Sequence, residues 1–338
     1  MKAKKFKKFF VSIALNAVLT FSTAATSFAA TAQLMPVEQS AELSQNQTDT
    51  PLVDDSDAQT AGASYLTAQS GIRQTAASES SVTIQWNPVS NADKYAVNIG
   101  KFGSSPSRLL GYIENRRNSA KINKLDAGTA YTIKITAISS SGVSLSSRTV
   151  DCTTLYSKVK IKSSYASTSG GYTFNMSTVT PSNSITGYKV VYQSSAAHKN
   201  ITRYYNTRYS FTLGTSTDTF YQVKIYPYLI LNNKRYVSTT PTVRYIAMGI
   251  VLKKAGNTNS TMTVKWNKTA GANNYSIYIK YPNNSSYKKI KTSASTSFTL
   301  TNMTKNVKYG IKVIANKKIN GKTWTSVSKA YTMSLTGR

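Results

Sequence analysis

The sequence predicts an all-β fold built from three tandem β-sandwiches, and two observations carry that prediction. Beyond residue 63, apolar and polar residues alternate in steps of two over short runs such as Val82 to Trp86, a pattern typical of half-buried strands. Similar landmarks also recur about every ninety residues along the rest of the chain. A regular succession of short strands with a fixed period indicates repeated sandwich domains.

Three families of landmarks define the period. The aromatic residues that follow a strand-like run are Trp86, Phe174 and Trp266. The tyrosines that open a further strand are Tyr95, Tyr188 and Tyr275. The tyrosines that begin the pattern Tyr-x-[Ile/Val]-Lys-[Ile/Val] are Tyr131, Tyr221 and Tyr309. The landmarks divide this part of the chain into unit 1 (63–155), unit 2 (156–247) and unit 3 (248–338).

Unit 1 contains Trp86, Tyr95 and a Leu-x-x-Gly-Thr-x-Tyr segment that ends at Tyr131. These features resemble the second-strand Trp, the third-strand Tyr and the corner motif of fibronectin type III domains. Unit 3 keeps the Trp and the Tyr but has Met303 in place of the Leu and lacks the Gly-Thr step, and unit 2 diverges most, with Phe174 in place of the Trp.

The resemblance implies an immunoglobulin-like sandwich of seven strands per unit and a setting like that of repeats in secreted and surface proteins of bacteria. It also implies that Tyr131, Tyr221 and Tyr309 are structural tyrosine-corner residues. It implies no reaction, because this fold supports many unrelated functions.

Residues 1–32 have the pattern of a secretory signal peptide. Five lysines precede an apolar run, and small residues then offer cleavage after Ala29 or after Ala32. The apolar run is shorter than the ~20 residues that cross a bilayer, so we expect no membrane span in the mature chain. The expected location is extracellular, in association with the cell envelope.

Residues 33–62 contain six acids, no base and no aromatic residue. A segment of this composition buries too little apolar surface to fold alone, which predicts a disordered acidic linker. We expect a solvated tether. The alternative is that the linker folds back on the basic units and competes there with an external polyanion.

Composition leaves little material for catalysis or metal binding. The chain has one His and one Cys, and 12 Asp and Glu against 42 Lys and Arg. We therefore predict no catalytic, cofactor-binding or metal-binding residue, and a protein that is not an enzyme. His198 lies in a polar stretch and is expected in an exposed loop. Cys152 is expected to be buried in the last strand of unit 1, with an intermolecular disulfide as the alternative.

Basic charge increases toward the C-terminus, and unit 3 has sixteen bases and no acid. Strand alternation places Tyr278 on the outer surface of unit 3, and Tyr226 on a related surface of unit 2 that includes Lys189 and Tyr228. The predicted polyanion-binding residues are Lys224, Lys280, Lys288, Lys289, Lys291, Lys308, Lys312, Lys317, Lys318 and Lys322. Because Lys is a hydrated point charge without the planar fork of Arg, these residues favour a diffuse polyanion over one docked phosphate.

The expected partner is an anionic polysaccharide or wall polymer, with nonspecific binding of nucleic acid as a further candidate. The same residues also allow three different interpretations. The lysines can serve solubility alone. The protein can be a structural spacer for a partner enzyme, or it can bind neutral carbohydrate through exposed aromatic residues. The candidates for that last role are Tyr278, Tyr281, Tyr287 and Trp324.

Overall fold

The computed structural model describes residues 33–36, 71–166, 171–177 and 185–335. The regular elements in these ranges are all β-strands, and the chain forms tandem β-sandwiches, which confirms the predicted fold class. In the part of the chain that the structure describes, no helix has the length and hydropathy to cross a bilayer. The predicted signal peptide lies outside the described residues.

Unit 1 is a sandwich of two antiparallel sheets. Its strands are β1 (Gln33–Pro36), β2 (Ile72–Ala77), β3 (Val82–Trp86), β4 (Lys94–Lys101), β5 (Arg108–Glu114), β6 (Ser119–Asn123), β7 (Ala130–Ile138) and β8 (Ser144–Thr153). One sheet has the order β1-β6-β3-β2 and the other β5-β4-β7-β8. The apolar parity of each strand fills the space between the sheets.

Unit 2 repeats this architecture. Its strands are β9 (Ile161–Ala166), β10 (Gly171–Met176), β11 (Gly187–Ser194), β12 (Asn200–Tyr205), β13 (Ser210–Gly214), β14 (Phe220–Leu231), β15 (Lys234–Val237) and β16 (Thr242–Ala247). The smaller sheet has the order β13-β10-β9. The larger sheet has the order β12-β11-β14-β15, and β16 also pairs with β14.

Unit 3 has the same arrangement. Its strands are β17 (Lys253–Asn257), β18 (Met262–Lys265), β19 (Asn274–Lys280), β20 (Lys288–Ser293), β21 (Ser297–Leu300), β22 (Lys308–Ile319), β23 (Lys322–Thr325) and β24 (Ala330–Ser334). The sheets are β17-β18-β21 and β20-β19-β22-β23, with β24 also on β22. In units 2 and 3 the seventh strand position is thus divided into two strands, whereas β8 is continuous in unit 1.

The aromatic landmarks form the centre of each core. Trp86 and Tyr95 make an edge-on pair with ring centroids 5.3 Å apart, and Trp266 and Tyr275 make the same pair at 5.4 Å. Unit 2 replaces the Trp with Phe174, which stacks on another phenylalanine of β13. The divergent unit therefore keeps an aromatic core with different partners.

The tyrosine corners implied by the resemblance are present in all three units. Each hydroxyl accepts a hydrogen bond from a backbone N–H five residues upstream, at 2.9 Å in every case. The tyrosines are Tyr131, Tyr221 and Tyr309. Each bond satisfies a turn N–H and fixes the crossing between the two sheets.

A left-handed residue lies three positions before each corner tyrosine. Gly128 has φ 61°, Asp218 has φ 60° and Asn306 has φ 62°. Gly, Asn and Asp are the residues that adopt this conformation at the lowest cost. The corner geometry is therefore retained in units 2 and 3 although the Gly-Thr step is missing from their sequences.

The prediction of disorder from 33 to 62 does not hold at its first four residues. Gln33–Pro36 form β1, which pairs antiparallel with β6. Leu34 lies opposite Ile122 and packs against the core of unit 1. Backbone pairing to the edge of β6 and the burial of this leucine order a segment that is too short to show strand alternation. Residues 37–62 lie outside the described ranges.

Cys152 is fully buried, as predicted. Burial raises the pKa of its thiol, so the nucleophilic thiolate is disfavoured. This residue acts as a small apolar side chain in the core of unit 1.

Candidate functional site

The larger sheet of unit 3 has one face toward the core and one toward solvent. The side chains of β19 and β22 that face the core are Tyr275, Ile277, Ile279, Tyr309, Ile311 and Val313. On the other face, pairing places Tyr278 opposite both Lys312 and Lys289. We name this outer surface the cationic face, and its members are Tyr278, Lys280, Lys289, Lys308, Lys312 and Lys318.

Two lysines of the cationic face lie over tyrosine rings. The Lys312 ammonium is 4.9 Å from the ring centroid of Tyr278 and 4.6 Å from that of Tyr287. The Lys280 ammonium is 5.8 Å from the Tyr287 centroid. Tyr287 crosses the sheet above Gly310, where a Cβ atom would be 2.6 Å from the tyrosine hydroxyl. The missing side chain at Gly310 thus gives Tyr287 the room to hold both ammonium groups.

Lys288 and Lys291 do not belong to the cationic face. A β-bulge between Ile277 and Tyr278 shifts the register of β20, so that Lys291 lies opposite Ile277 and Lys288 opposite Ile279. Paired residues share a side of the sheet, and both isoleucines face the core. The two lysines therefore lie on the inner side of this edge strand, and the Lys291 ammonium is 5.4 Å from a phenylalanine ring of the smaller sheet.

Lys317 and Lys322 form a separate group at the junction with unit 2. The Lys317 ammonium donates to the backbone carbonyl of Gly271 at 3.1 Å. The Lys322 ammonium is 4.3 Å from the ring centroid of Trp324, which also packs beside Tyr245 of unit 2 at 5.5 Å. The β22–β23 hairpin thus contacts unit 2 through Trp324, and neither lysine belongs to the cationic face.

The related surface of unit 2 is only partly as predicted. Lys224 and Tyr226 are half-buried on the outer side of β14, where Tyr226 lies opposite Lys189. Tyr228 follows with the same parity but is fully buried. The Arg235 guanidinium covers its ring at 5.0 Å, and its hydroxyl donates to an asparagine side chain. The surface expected to include Tyr228 therefore ends at Tyr226.

The fifteen lysines of unit 3 are divided among several surfaces. Five belong to the cationic face, whereas the outer side of the smaller sheet has Lys253 and Lys265, which lie directly opposite each other. The sequence of unit 3 contains no acid. Among the described residues, the acid that hydrogen-bonds to unit 3 is Asp218 of unit 2, which accepts from the Asn267 amide at 2.8 Å. The cationic face thus has no anionic neighbour in its own unit.

The acidic residues and the histidine have ordinary structural positions. Asp151 accepts from the Thr132 hydroxyl at 2.7 Å, Asp93 and Asp126 are exposed, and His198 is exposed in the turn after β11, as predicted. In the described ranges, no group of three or more His, Cys, Asp or Glu side chains could hold a metal ion.

The sequence named Tyr287 only as a candidate for stacking on neutral carbohydrate and did not predict its contacts with two lysines, nor the contact that Arg244 makes. Tyr287 lies in the β19–β20 loop, where strand alternation gives no signal. Arg244 lies 5.9 Å from the Trp324 ring across the junction between two units, a contact that no local pattern predicts.

Residues 68–153, about a quarter of the chain, match the family model described as fibronectin type III domain. Unit 1 thus carries the sequence pattern of that domain. No curated protein matches the chain.

Two similar solved structures contain tandem fibronectin type III domains. The crystal structure of the chicken CNTN1 FN1-FN3 domains has 16% sequence identity and a TM-score of 0.23, with 79% of this chain and 98% of that chain covered. A segment of two such domains from chicken tenascin has 12% identity and a TM-score of 0.24, with 78% of this chain and 97% of that chain covered.

Proposed function

We propose that this protein is a secreted, non-catalytic binding module that attaches to anionic polymers of the cell envelope through the cationic face of unit 3. The observation that carries the proposal is the placement of Lys280 and Lys312 around Tyr287, in a unit without acids. Cation–π contacts hold the ammonium groups on the surface and do not neutralise their charge. The charge is therefore available to an external anion.

The spacing of the lysines along β22 suits a linear polymer. Lys308, Lys312 and Lys318 lie on the same strand. With a rise of about 3.3 Å per residue, these three cations extend over roughly 33 Å. An extended polyanion with repeated charges can contact several of them at once, and such binding depends strongly on salt.

Three of the four aromatic candidates for stacking on neutral sugar are covered by lysines, whereas Tyr281 is 46% exposed with no cation over its ring among the described residues. Tyr278, Tyr287 and Trp324 are half-buried, and each has a lysine ammonium within 6 Å of its ring centroid. Rings covered in this way offer little free face for stacking on a neutral sugar. An ammonium group that rests on a ring can still pair with an anion from the solvent side.

The test compares two triple variants of the full chain with equal loss of charge. K289Q/K308Q/K312Q removes lysines of the cationic face, and K253Q/K265Q/K268Q removes three exposed lysines elsewhere in unit 3. Binding to dextran sulfate and to polyphosphate is measured between 50 and 200 mM NaCl. We expect the wild-type affinity to fall about a thousandfold or more over this range if six or more contacts form.

The first variant should lower the slope of log affinity against log salt by about two to three, and the control should leave it nearly unchanged. Equal losses in both variants would show that only net charge matters, which is the expectation for a purely solubilising role. Absence of binding by the wild type at 50 mM NaCl would refute the proposal and favour a structural spacer.

The proposed location has its own test. Cells that produce the full chain are fractionated, and the envelope fraction is washed with increasing NaCl. We expect the wild-type protein in the envelope fraction and its release by salt, with earlier release of K289Q/K308Q/K312Q than of the control. Retention in the cytoplasm would contradict secretion.

A further inference from the structure

A cleft of about 650 Å³ lies between units 1 and 2. Unit 1 contributes Phe102 and Ala130, and unit 2 contributes residues from three segments, among them Thr186, Arg208 and Tyr209. The volume is in the range of sites that bind small molecules or short polymer segments. None of the lysines of the cationic face lines it, so its function is independent of the proposed polyanion binding.

Specific contacts hold the two units around the cleft. The ring of Tyr156 covers Gly128, where a Cβ atom would be 2.2 Å from the nearest ring carbons. The Thr240 hydroxyl of unit 2 donates to the Glu79 carboxylate of unit 1 at 2.8 Å. A buried ring and a charge-assisted hydrogen bond thus connect units 1 and 2 outside the lining of the cleft.

The aromatic residues of the cleft differ from those of the cationic face. The side chain of Tyr209 is 69% exposed, the largest value among the exposed large apolar and aromatic residues of the described chain, and Phe102 is 48% exposed. Among the described residues, no cation lies over either ring, in contrast to Tyr287. Free ring faces at the mouth of a cleft are suited to stacking on sugar rings.

The polar groups of the cleft favour a ligand that carries a negative charge. Arg208 is exposed, and within the described ranges its guanidinium makes no ion pair with a carboxylate. The Asn206 carbonyl oxygen already accepts from the Tyr228 hydroxyl, which leaves its amide nitrogen to donate to a ligand. A guanidinium next to free aromatic faces fits a carboxylate on a sugar, because it can form two parallel hydrogen bonds with it.

We infer that this cleft binds a short segment of a uronic-acid polysaccharide. Tyr209 and Phe102 stack on sugar rings, and Arg208 pairs with a sugar carboxylate. Recognition here depends on ring contacts and on one oriented charge, whereas the cationic face responds to repeated charge alone. The protein then has two binding sites of different chemistry, and both bind polymers of the cell envelope.

The test uses tetragalacturonate and its full methyl ester, which has the same sugar rings and linkages without the negative charges, as probes. Binding to the full chain is measured by calorimetry at 300 mM NaCl, where diffuse ionic contacts are screened to a few ångströms. We expect tetragalacturonate to bind and its methyl ester to bind at least about tenfold more weakly, since a charge-assisted pair is lost.

Variants assign the binding to the cleft. Y209A, F102A and R208Q should each weaken tetragalacturonate binding about tenfold. Two controls should leave it unchanged: Y165A, which removes a tyrosine on β9 that is 52% exposed and outside the cleft, and K289Q/K308Q/K312Q. Hydrogen exchange of each variant verifies that both units remain folded.

Three results would overturn the inference: no binding of tetragalacturonate by the wild type, equal binding of its methyl ester, or equal losses in Y209A and Y165A. A loss of dextran sulfate binding in K289Q/K308Q/K312Q with intact tetragalacturonate binding separates the two sites. The failure of one proposal is therefore distinguishable from the failure of the other.

Discussion

Units 1 and 3 share a core but differ in surface charge. Both have an edge-on Trp–Tyr pair, with centroid distances of 5.3 and 5.4 Å, and both have a tyrosine corner with a 2.9 Å hydrogen bond. Unit 1 carries ten bases and five acids, whereas unit 3 carries sixteen bases and no acid. The same buried network thus supports two different surfaces.

This difference separates the residues that determine the fold from those that determine binding. The buried aromatic residues keep their partners in both units, while the outward positions of the same strands change freely in charge. Successive side chains of β19 and β22 point to opposite faces of the sheet, so Lys and Tyr on the outer face do not disturb the core residues between them. Function in unit 3 is therefore expected to depend on outward residues alone.

The largest expected effect comes from the core tryptophans. Trp86→Ala and Trp266→Ala should each lower the free energy of unfolding of their own unit by about 3–5 kcal/mol, because each leaves a large cavity beside a buried tyrosine. Hydrogen exchange resolved by unit measures this. Only Trp266→Ala should weaken binding to dextran sulfate, because it destabilises the unit that carries the cationic face. Comparable loss of binding in Trp86→Ala would show that the surface of unit 3 is not the binding site.

Alkaline pH should lower the stability of unit 2 in part through the buried Tyr188. Burial raises the pKa of Tyr188 from 10.0 to about 12. Between these values the unfolded chain releases the phenolic proton and the folded chain retains it, so stability is complete below pH 10 and falls by up to about 1.4 kcal/mol per pH unit above it. Unfolding of unit 2 is followed from pH 8 to 12. Tyr188→Phe should remove this component, and an unchanged pH profile in that variant would contradict the assignment.

The tyrosine corners should contribute equally in the two compared units. Tyr131→Phe and Tyr309→Phe each remove the acceptor of a backbone N–H, that of Asp126 and that of Thr304. We expect a loss of about 1–3 kcal/mol in each unit, from equilibrium unfolding followed by hydrogen exchange. A difference of more than about 1 kcal/mol between the variants would show that the corners are not equivalent.

The smallest effect concerns the left-handed residue of unit 3. Asn306→Ala should cost about 1–2 kcal/mol because alanine disfavours positive φ, and Asn306→Gly should be nearly neutral. Thermal unfolding of the two variants measures the difference. Equal stability of the alanine and glycine variants would mean that the corner of unit 3 relaxes to another conformation.

The sequence was sufficient to predict the fold because its signals are local and repeated. Alternation, the period of the aromatic landmarks and the corner tyrosines all depend on nearby residues. Three features of the structure could not be predicted from the sequence. The strand at Gln33–Pro36 is ordered by a distant edge, the bulge in β20 turns Lys288 and Lys291 away from the cationic face, and Tyr228 is covered by Arg235 from a neighbouring strand. Each of these depends on register or on contacts between segments.

The prediction of which side chains face outward was correct where a residue lies within a regular strand. Tyr278, Lys280, Lys308 and Lys312 face outward as alternation requires. It was less accurate in the loops, because Tyr287, which holds two of these lysines, follows no periodic pattern. The division of the lysines between the cationic face and the junction with unit 2 required the structure.

The most direct test of the central claim is a lysine-acetylation footprint of the full chain with and without dextran sulfate at 50 mM NaCl. We expect the polymer to protect Lys289, Lys308 and Lys312 and to leave Lys253 and Lys265 as reactive as in the free protein. Equal protection on both sides of unit 3 would contradict it.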